Sequence, residues 1–218
     1  MIPIGDDNSR RQIVPVVTYA IIALNALMFY LELSQGEPFI MKWSFIPGEF
    51  TQNPAGEAIT IFTAMFMHGG WMHILGNMLY LWIFGDNVED SFGHIPYLIF
   101  YLVTGIAATL AQLFVDPNSM IPNLGASGAI AGVLGAYLVL YPRGTVRVIF
   151  GRMLTNMPAL IVIGLWALLQ LVSGMGSITG AASDGVAYMA HIGGFIAGLI
   201  LTFLLKGRRK DYLGQGQA

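Results

Sequence analysis

The sequence predicts an all-α, polytopic membrane protein, built as a bundle of six transmembrane helices. Composition supports this fold class, because 56% of the 218 residues are hydrophobic and only 10% are charged, whereas about a quarter are charged in soluble domains. The second observation is a series of six apolar segments, each close to the ~20 residues needed to cross the hydrocarbon core. They lie at residues 13–33, 71–87, 95–115, 126–141, 154–173 and 185–205.

These segments divide the chain into three parts. Residues 1–12 form a short polar segment, residues 13–205 the membrane domain, and residues 206–218 a basic tail. The first segment lacks the apolar core and the small-residue cleavage site of a signal peptide, so we expect the first helix to be retained. The connection at residues 34–62 is too polar to span and rich in aromatic residues, which predicts a location in the membrane interface.

Basic residues predict the orientation. If the N-terminus is cytoplasmic, nine of the ten Lys and Arg residues fall on the inner side, and only Lys42 falls on the outer side. This bias places both termini in the cytoplasm. We therefore expect a multi-pass protein of a cell membrane. A chain without an Arg- and Ser-rich leader favours a prokaryotic plasma membrane.

Several kinds of chemistry are absent from the sequence. A formal net charge of −2 argues against nucleic acid as a partner, and a chain without cysteine has no thiol catalysis and no cysteine metal site. No His-Glu-x-x-His motif is present, and Asp86 and Asp90 lie at a helix end and do not face each other in the bilayer. We expect no cofactor and no metal, and serine is the nucleophile that remains.

Ser127 is the candidate nucleophile. It opens an apolar helix in the sequence Gly125-Ala126-Ser127-Gly128, which follows a turn-like Pro-Asn pair. Backbone N–H groups are unpaired at a helix N-terminus and the helix dipole favours negative charge there, so the position can activate a serine and hold an oxyanion. The alternative is that Ser127 only caps its helix and that the glycines only pack.

His191 is the candidate general base, and it is the only ionisable residue within the sixth segment. It precedes Leu205 by fourteen residues, as Ser127 precedes Tyr141, so helix rise puts both about 21 Å above the inner boundary. Two small-residue faces should bring the helices together: Ala187, Gly194 and Gly198 beside the histidine, and Gly125, Gly128, Gly132 and Gly135 on the fourth helix.

These two residues predict a dyad. In this hypothesis His191 accepts the proton of Ser127 and later passes it to the leaving amine. No carboxylate lies at this depth, so helix packing should take the place of a third member. The alternative for His191 is a buried histidine bonded to a neighbouring carbonyl.

The second helix can supply an oxyanion hole. His73 and Asn77 are four residues apart and share one helix face, and the Asn77 amide is a neutral donor suited to a developing negative charge. The backbone N–H of Ser127 would be a further donor. The alternative is an interhelical hydrogen bond that only holds helices together. His68 is either part of this site or an interfacial side chain.

Taken together, these residues resemble the rhomboid family of intramembrane serine proteases, over nearly the whole chain. The resemblance rests on His73-x-x-x-Asn77, on Gly125-x-Ser127-Gly128, and on Ala190-His191-x-Gly193-Gly194 followed by Gly198. It implies a rhomboid-like bundle that cleaves transmembrane segments of other proteins near their outer end. Ser127 matches the nucleophile of the family, His191 its base, and His73, Asn77 and the Ser127 backbone its oxyanion hole.

Two positions depart from the family pattern. The sequence has Ala58-Ile59 before the second helix, where many members have Trp-Arg. It has Ala131 where some bacterial members carry a tyrosine that packs on the base. The second departure concerns how His191 is held.

Access to the site and competing functions follow from the remaining segments. The Gly- and Ser-rich stretch 173–185 should cap the site, and the fifth helix, which has no predicted catalytic residue, should move to admit substrate. One alternative function is a catalytically inactive rhomboid-like protein that binds transmembrane clients. A small transporter is the other, and no internal repeat supports it.

Overall fold

The computed structural model describes residues 1–9, 11–178 and 186–206, and its architecture is mostly helical. The long helices are α1 (Val16–Gln35), α6 (Trp71–Tyr80), α7 (Asp86–Phe92), α8 (His94–Val115), α9 (Ser127–Leu140), α10 (Ala159–Ile178) and α11 (Tyr188–Lys206). A π-helical turn, Leu81–Gly85, joins α6 to α7. The interfacial connection contains α2 (Glu37–Trp43), α3 (Pro47–Gln52), α4 (Pro54–Glu57), α5 (Thr60–Thr63) and a 3-10 turn, Ala64–Phe66.

Membrane-spanning helices account for most of this architecture, although not in the predicted number. Four helices in the described residues are long and apolar enough to span: Val16–Gln35, His94–Val115, Ala159–Gly176 and Tyr188–Leu205. A fifth span is possible through Pro54–Phe66 and Trp71–Phe92, which meet at a bend of 76°. The all-α polytopic fold is therefore confirmed, and the number of six spans is not.

The fourth predicted span, α9, is too short to cross the membrane alone. Its 14 residues give a length of about 21 Å, against about 30 Å for the hydrocarbon core. Residues 128–137 are all buried, which is typical of a helix that is apolar on every side and enclosed by others. α9 is thus the centre of the bundle, with α8 and α11 packed against it.

The packing of α11 on α9 depends on glycine. A Cβ at Gly194 would collide with the carbonyl oxygen of Gly128, and a Cβ at Gly198 would lie 2.6 Å from the Cα of Gly132. The predicted contact between the two small-residue faces is therefore present. The Cβ positions of Gly128 and Gly132 point toward α8, because a methyl group at either position would first meet side chains of α8 at 2.5 Å.

A three-stranded antiparallel sheet, which the sequence analysis did not predict, lies outside the helical bundle. Its strands are β1 (Ile2–Asp6), β2 (Thr145–Phe150) and β3 (Met153–Pro158), in the order β1-β2-β3. Val146 and Val148 of β2 are fully buried while their neighbours point outward, as strand alternation requires. Gly151, with φ of +62°, begins the two-residue turn between β2 and β3. The fifth helix consequently begins at Ala159, and the predicted start at residue 154 is wrong.

Acidic residues at the end of the Trp71–Phe92 segment hold the N-terminal part of the chain. The fully buried Glu89 carboxylate accepts the backbone N–H groups of Val17 at 2.9 Å and Thr18 at 2.7 Å, so it satisfies free donors in the first turn of α1. Asp90 accepts two more N–H groups just before that helix. Arg11 pairs with Asp86 at 2.8 Å. These contacts fix α1 against the bundle.

The first testable prediction concerns the contact between α9 and α11. We expect Gly198→Ala to lower the free energy of unfolding by about 1–3 kcal/mol, the usual cost of forcing a methyl group into a packed core. Gly164→Ala on α10 is the matched control, because a Cβ there meets nothing within 4 Å. Unfolding in detergent measures both variants, and equal stability would show that the glycine contact is unimportant.

The second prediction concerns Asp6 of β1, whose Oδ2 accepts hydrogen bonds from Asn87 and Tyr137 at 2.6 and 2.8 Å. Burial raises the pKa of Asp6 from 3.8 to about 7, against the opposing effect of the Tyr137 hydrogen bond. The folded state therefore binds this proton more tightly than the unfolded state, and its contribution to stability falls as the pH rises from about 4 to about 7. We expect the unfolding temperature of Asp6→Asn, relative to that of the unmodified protein, to be higher at pH 8 than at pH 5. A difference independent of pH would contradict this assignment.

Candidate active site

Ser127 is the first residue of α9, and a tight backbone turn sets it there. Gly125 has φ of +138°, a conformation that favours glycine, and its N–H donates to the carbonyl of Ala64 at 2.8 Å. Asn123 and Phe45 exchange two backbone hydrogen bonds just before this turn. The start of α9 is therefore tied to the interfacial connection, and the N–H of Ser127 has no carbonyl four residues earlier within its own helix.

The side chain of Ser127 meets that of His191. The distance from Ser127 Oγ to His191 Nε2 is 2.7 Å, within hydrogen-bond range. The two residues lie next to the closest approach of their helices, since Ser127 precedes Gly128 and His191 lies one turn before Gly194. The structure thus brings the predicted nucleophile and base together.

His191 is held by residues that the sequence analysis missed. Its Nδ1 lies 2.7 Å from Oε1 of Gln170, on α10. Its ring lies between two aromatic side chains, with centroid distances of 6.0 Å to Trp166 and 6.3 Å to Tyr188. The fifth helix, expected to carry no residue of the site, therefore contributes two. Gln170 is the only polar residue in α10 other than two serines, and the rarity of such residues in spans was the signal that could have found it.

His73 and Asn77 are on one face of α6, as predicted, and both line a cavity beside Ser127 and His191. His73 Nδ1 accepts the N–H of Gly69 at 3.3 Å, so in the neutral ring the remaining proton is on Nε2. The amide nitrogen of Asn77 is buried and has no hydrogen-bond partner among the described residues. Two donors that no described group uses thus lie at the wall of the cavity.

This cavity has a volume of about 580 Å³ and is lined by α6, α9, the start of α11 and one residue of α10. Met72 and Tyr80 contribute to the wall on α6, Trp166 on α10, and Val186 and Ala187 at the start of α11. A cavity of this size falls within the range of small-molecule and peptide side-chain sites. Most of the proposed cap, residues 179–185, lies outside the described residues.

His68 lies behind the site and is enclosed by protein, because only 1% of it is exposed. Its ring packs edge-on against that of His73 with centroids 5.0 Å apart. Its backbone N–H donates to both carboxylate oxygens of Glu32, at 2.9 and 3.2 Å. Neither ring nitrogen has a partner among the described residues. Glu32 and His68 together fix the turn that begins α6 and so position His73.

No cluster of three or more His, Asp or Glu side chains in the described part of the chain could hold a metal ion. The four predicted site residues and Gln170 offer a hydroxyl, two imidazoles and two amides. Such a set can transfer protons and stabilise an oxyanion.

Comparison with known proteins decides the family. The sequence model of the Rhomboid domain matches residues 55–208, which include every predicted residue of the site. The chain belongs to the rhomboid family. It is 34% identical over 194 residues to rhomboid protease GluP of Bacillus subtilis, and 31% identical over 150 residues to RHOMBOID-like protein 5 of Arabidopsis thaliana. It is 27% identical over 190 residues to the mitochondrial Rhomboid protein 1 of Saccharomyces cerevisiae.

These alignments cover most of this rhomboid and less of its relatives. They include 88%, 69% and 84% of the chain but only 35%, 45% and 51% of the three relatives, in the same order. Membership of the family and the apolar helices establish a multi-pass membrane protein.

The third prediction tests the turn before Ser127. A Cβ at Gly125 would lie 2.9 Å from Cε1 and Nε2 of His73, and the positive φ adds backbone strain of about 1–3 kcal/mol. We expect Gly125→Ala to destabilise the protein by at least that amount and to displace the His73 ring. Gly69→Ala is the control, because its nearest contact would be an ordinary 3.8 Å. Thermal unfolding compares the two, and a stable Gly125→Ala would contradict the requirement for glycine.

Proposed function

We propose that this rhomboid is an intramembrane serine endopeptidase that cleaves transmembrane segments of membrane proteins near their outer end. The observation that supports this most directly is the 2.7 Å contact between Ser127 Oγ and His191 Nε2. It occurs at the N-terminus of a buried helix and beside a cavity with unused N–H donors. A serine whose only role was to cap its helix would need neither the histidine nor the cavity.

The proposed reaction has two stages. Ser127 Oγ attacks the peptide carbonyl carbon while its proton passes to His191 Nε2, and the same proton then goes to the leaving amine nitrogen as the C–N bond breaks. The product is an acyl-enzyme ester on Ser127. A water molecule attacks this ester, gives its proton to His191, and the acid product leaves as Ser127 regains its hydrogen. One imidazole therefore acts in turn as base and acid.

The oxyanion of each tetrahedral intermediate needs donors already in place. We assign this role to His73 Nε2–H, the Asn77 amide and the Ser127 backbone N–H. The first two are supported by their hydrogen bonding, since Gly69 occupies His73 Nδ1 and nothing described occupies the Asn77 amide nitrogen. Fixed donors of this kind stabilise developing charge without having to reorganise.

The position of the cavity supports a transmembrane substrate. It extends from α6 to Trp166 of α10, so a substrate helix can approach between these two helices from the bilayer. A helical substrate shields its peptide bonds, and Gly or Pro residues near the outer boundary make unwinding easier. The distribution of basic residues supports an orientation with both termini in the cytoplasm and the site near the outer leaflet.

Labelling with a fluorophosphonate tests the nucleophile. We expect the unmodified protein in detergent to be labelled at Ser127, and Ser127→Ala and His191→Ala to be unlabelled. The same variants should fail to cleave fluorogenic transmembrane peptides in proteoliposomes. Labelling that persists in Ser127→Ala would assign the nucleophile elsewhere. A folded protein that binds these peptides but is neither labelled nor active would support the client-binding alternative.

The oxyanion hole has a test of its own, which does not depend on the residues of the fifth helix. We expect Asn77→Ala to slow peptide cleavage by roughly 10²–10³-fold, the usual effect of removing one oxyanion donor. Leu75→Ala is the control on the same helix, because 57% of Leu75 is exposed and it does not line the cavity. Cleavage rates at saturating peptide measure the effect. A rate for Asn77→Ala equal to that of the control would remove Asn77 from the site.

A further inference from the structure

We infer that Gln170 is a positioning residue for the proposed reaction, which holds His191 in the one neutral tautomer that can accept the proton of Ser127. The inference rests on the proposed function. Packing alone does not explain a glutamine at this position of the fifth helix, and the inference gives that residue a role. It also supplies the third member of the site, which is an amide in place of the usual carboxylate.

The two facing atoms determine the tautomer of His191. Gln170 presents Oε1 to His191 Nδ1 at 2.7 Å. A carbonyl oxygen can only accept a hydrogen bond, so Nδ1 must carry a proton. Neutral imidazole has a single N–H, and Nε2 is therefore left with its lone pair directed toward Ser127 Oγ, 2.7 Å away. The two contacts are consistent with each other in this tautomer alone.

The contact between Gln170 and His191 lies in apolar surroundings. Gln170 and His191 share the wall of a second cavity, of about 270 Å³, between α10 and α11. Apart from these two residues and the Trp166 indole, apolar side chains line it, including Leu171 and Phe195. In such surroundings a hydrogen bond is stronger than in water and an unpaired N–H is costly. The opposite tautomer would leave Nδ1 without its donor and give Ser127 no acceptor.

An amide suits this position better than a carboxylate does. A carboxylate would have to be buried next to lipid-facing residues of α10, such as Leu168 and Leu169, where charge is strongly disfavoured. The Gln170 carbonyl fixes the tautomer without charge, and the negative end of its dipole faces the imidazolium that forms when Ser127 attacks. It also accounts for how His191 is held in a chain that has Ala131 in place of the family tyrosine.

The test uses two variants and a matched control. Gln170→Met keeps the length of the side chain and removes the acceptor, whereas Gln170→Glu keeps an acceptor oxygen at the same reach. Leu169→Met is the control, because Leu169 is 63% exposed on the same helix and does not line either cavity. The probe is a fluorophosphonate, and its concentration dependence separates the maximal labelling rate from the binding constant.

We expect Gln170→Met to lower the maximal labelling rate by about tenfold, the factor that corresponds to one neutral hydrogen bond, with the binding constant unchanged. Gln170→Glu should restore the rate to within about threefold of the unmodified protein, since the apolar surroundings keep the new carboxyl group protonated and its carbonyl oxygen is again an acceptor. Leu169→Met should label at the unmodified rate. Wild-type labelling of Gln170→Met, or equal losses in the Met and Glu variants, would overturn the inference, because the side chain would then act through shape alone.

A spectroscopic measurement separates this inference from the proposed function. The chain has four histidines, so ¹⁵N-histidine spectra in detergent can be assigned with a His191→Gln variant. We expect His191 to show the Nδ1–H tautomer in the unmodified protein and a mixture of tautomers in Gln170→Met. A failure of Ser127 to label would defeat the proposed protease and leave this measurement intact. A His191 tautomer that is the same in both proteins would defeat the role of Gln170 and leave the protease intact.

Discussion

The close approach of α11 to α9 is the constraint on which the rest of the site depends. Gly194 and Gly198 lie directly on the backbone of Gly128 and Gly132. Neither helix can therefore slide along the other without a backbone collision. Ser127 is adjacent to one of these contact points and His191 is one helical turn from it. The distance between the proposed nucleophile and base is consequently set by backbone packing, which is far stiffer than side-chain contact. A site built in this way needs no loop to bring its reacting groups together.

α10 is held differently from the helices that carry this register. It packs less extensively, and its outward face exposes a row of large apolar side chains that suits contact with lipid: Leu160, Leu165, Leu168, Leu169 and Leu171. A helix held loosely on one side is suited to movement, yet α10 also carries the side chain that bonds His191 Nδ1. Any displacement of α10 that widens the cavity must therefore carry Gln170 with it or break that bond. In the proposed reaction, access for substrate and the state of the base would be linked through one amide.

Much of the fold and of the site could be predicted from the sequence, for identifiable reasons. Ser127 and His191 could be paired because helix rise fixes depth, and small residues mark the faces that touch. Two features could not be predicted in this way. The strand Thr145–Phe150 alternates as a half-buried strand does, but it lies between two predicted spans, and one of its two partner strands, Ile2–Asp6, is far away in sequence. Gln170 was missed because its contact with His191 depends on how α10 and α11 are each rotated about their own axes. Hydropathy does not report that rotation.

The charge of the site suits the proposed chemistry to a location within a membrane. Ser127, Gln170 and Asn77 are neutral, His73 accepts the N–H of Gly69 at Nδ1, and the tautomer inferred for His191 is neutral as well. In the proposed reaction, transfer of the serine proton creates an imidazolium and an oxyanion together, and the net charge remains zero. Because the two charges arise a few ångströms apart, their mutual attraction in low dielectric offsets much of the cost of forming them away from water. A permanent carboxylate behind the base would add an unbalanced charge in the resting state, and a neutral amide at that position does not.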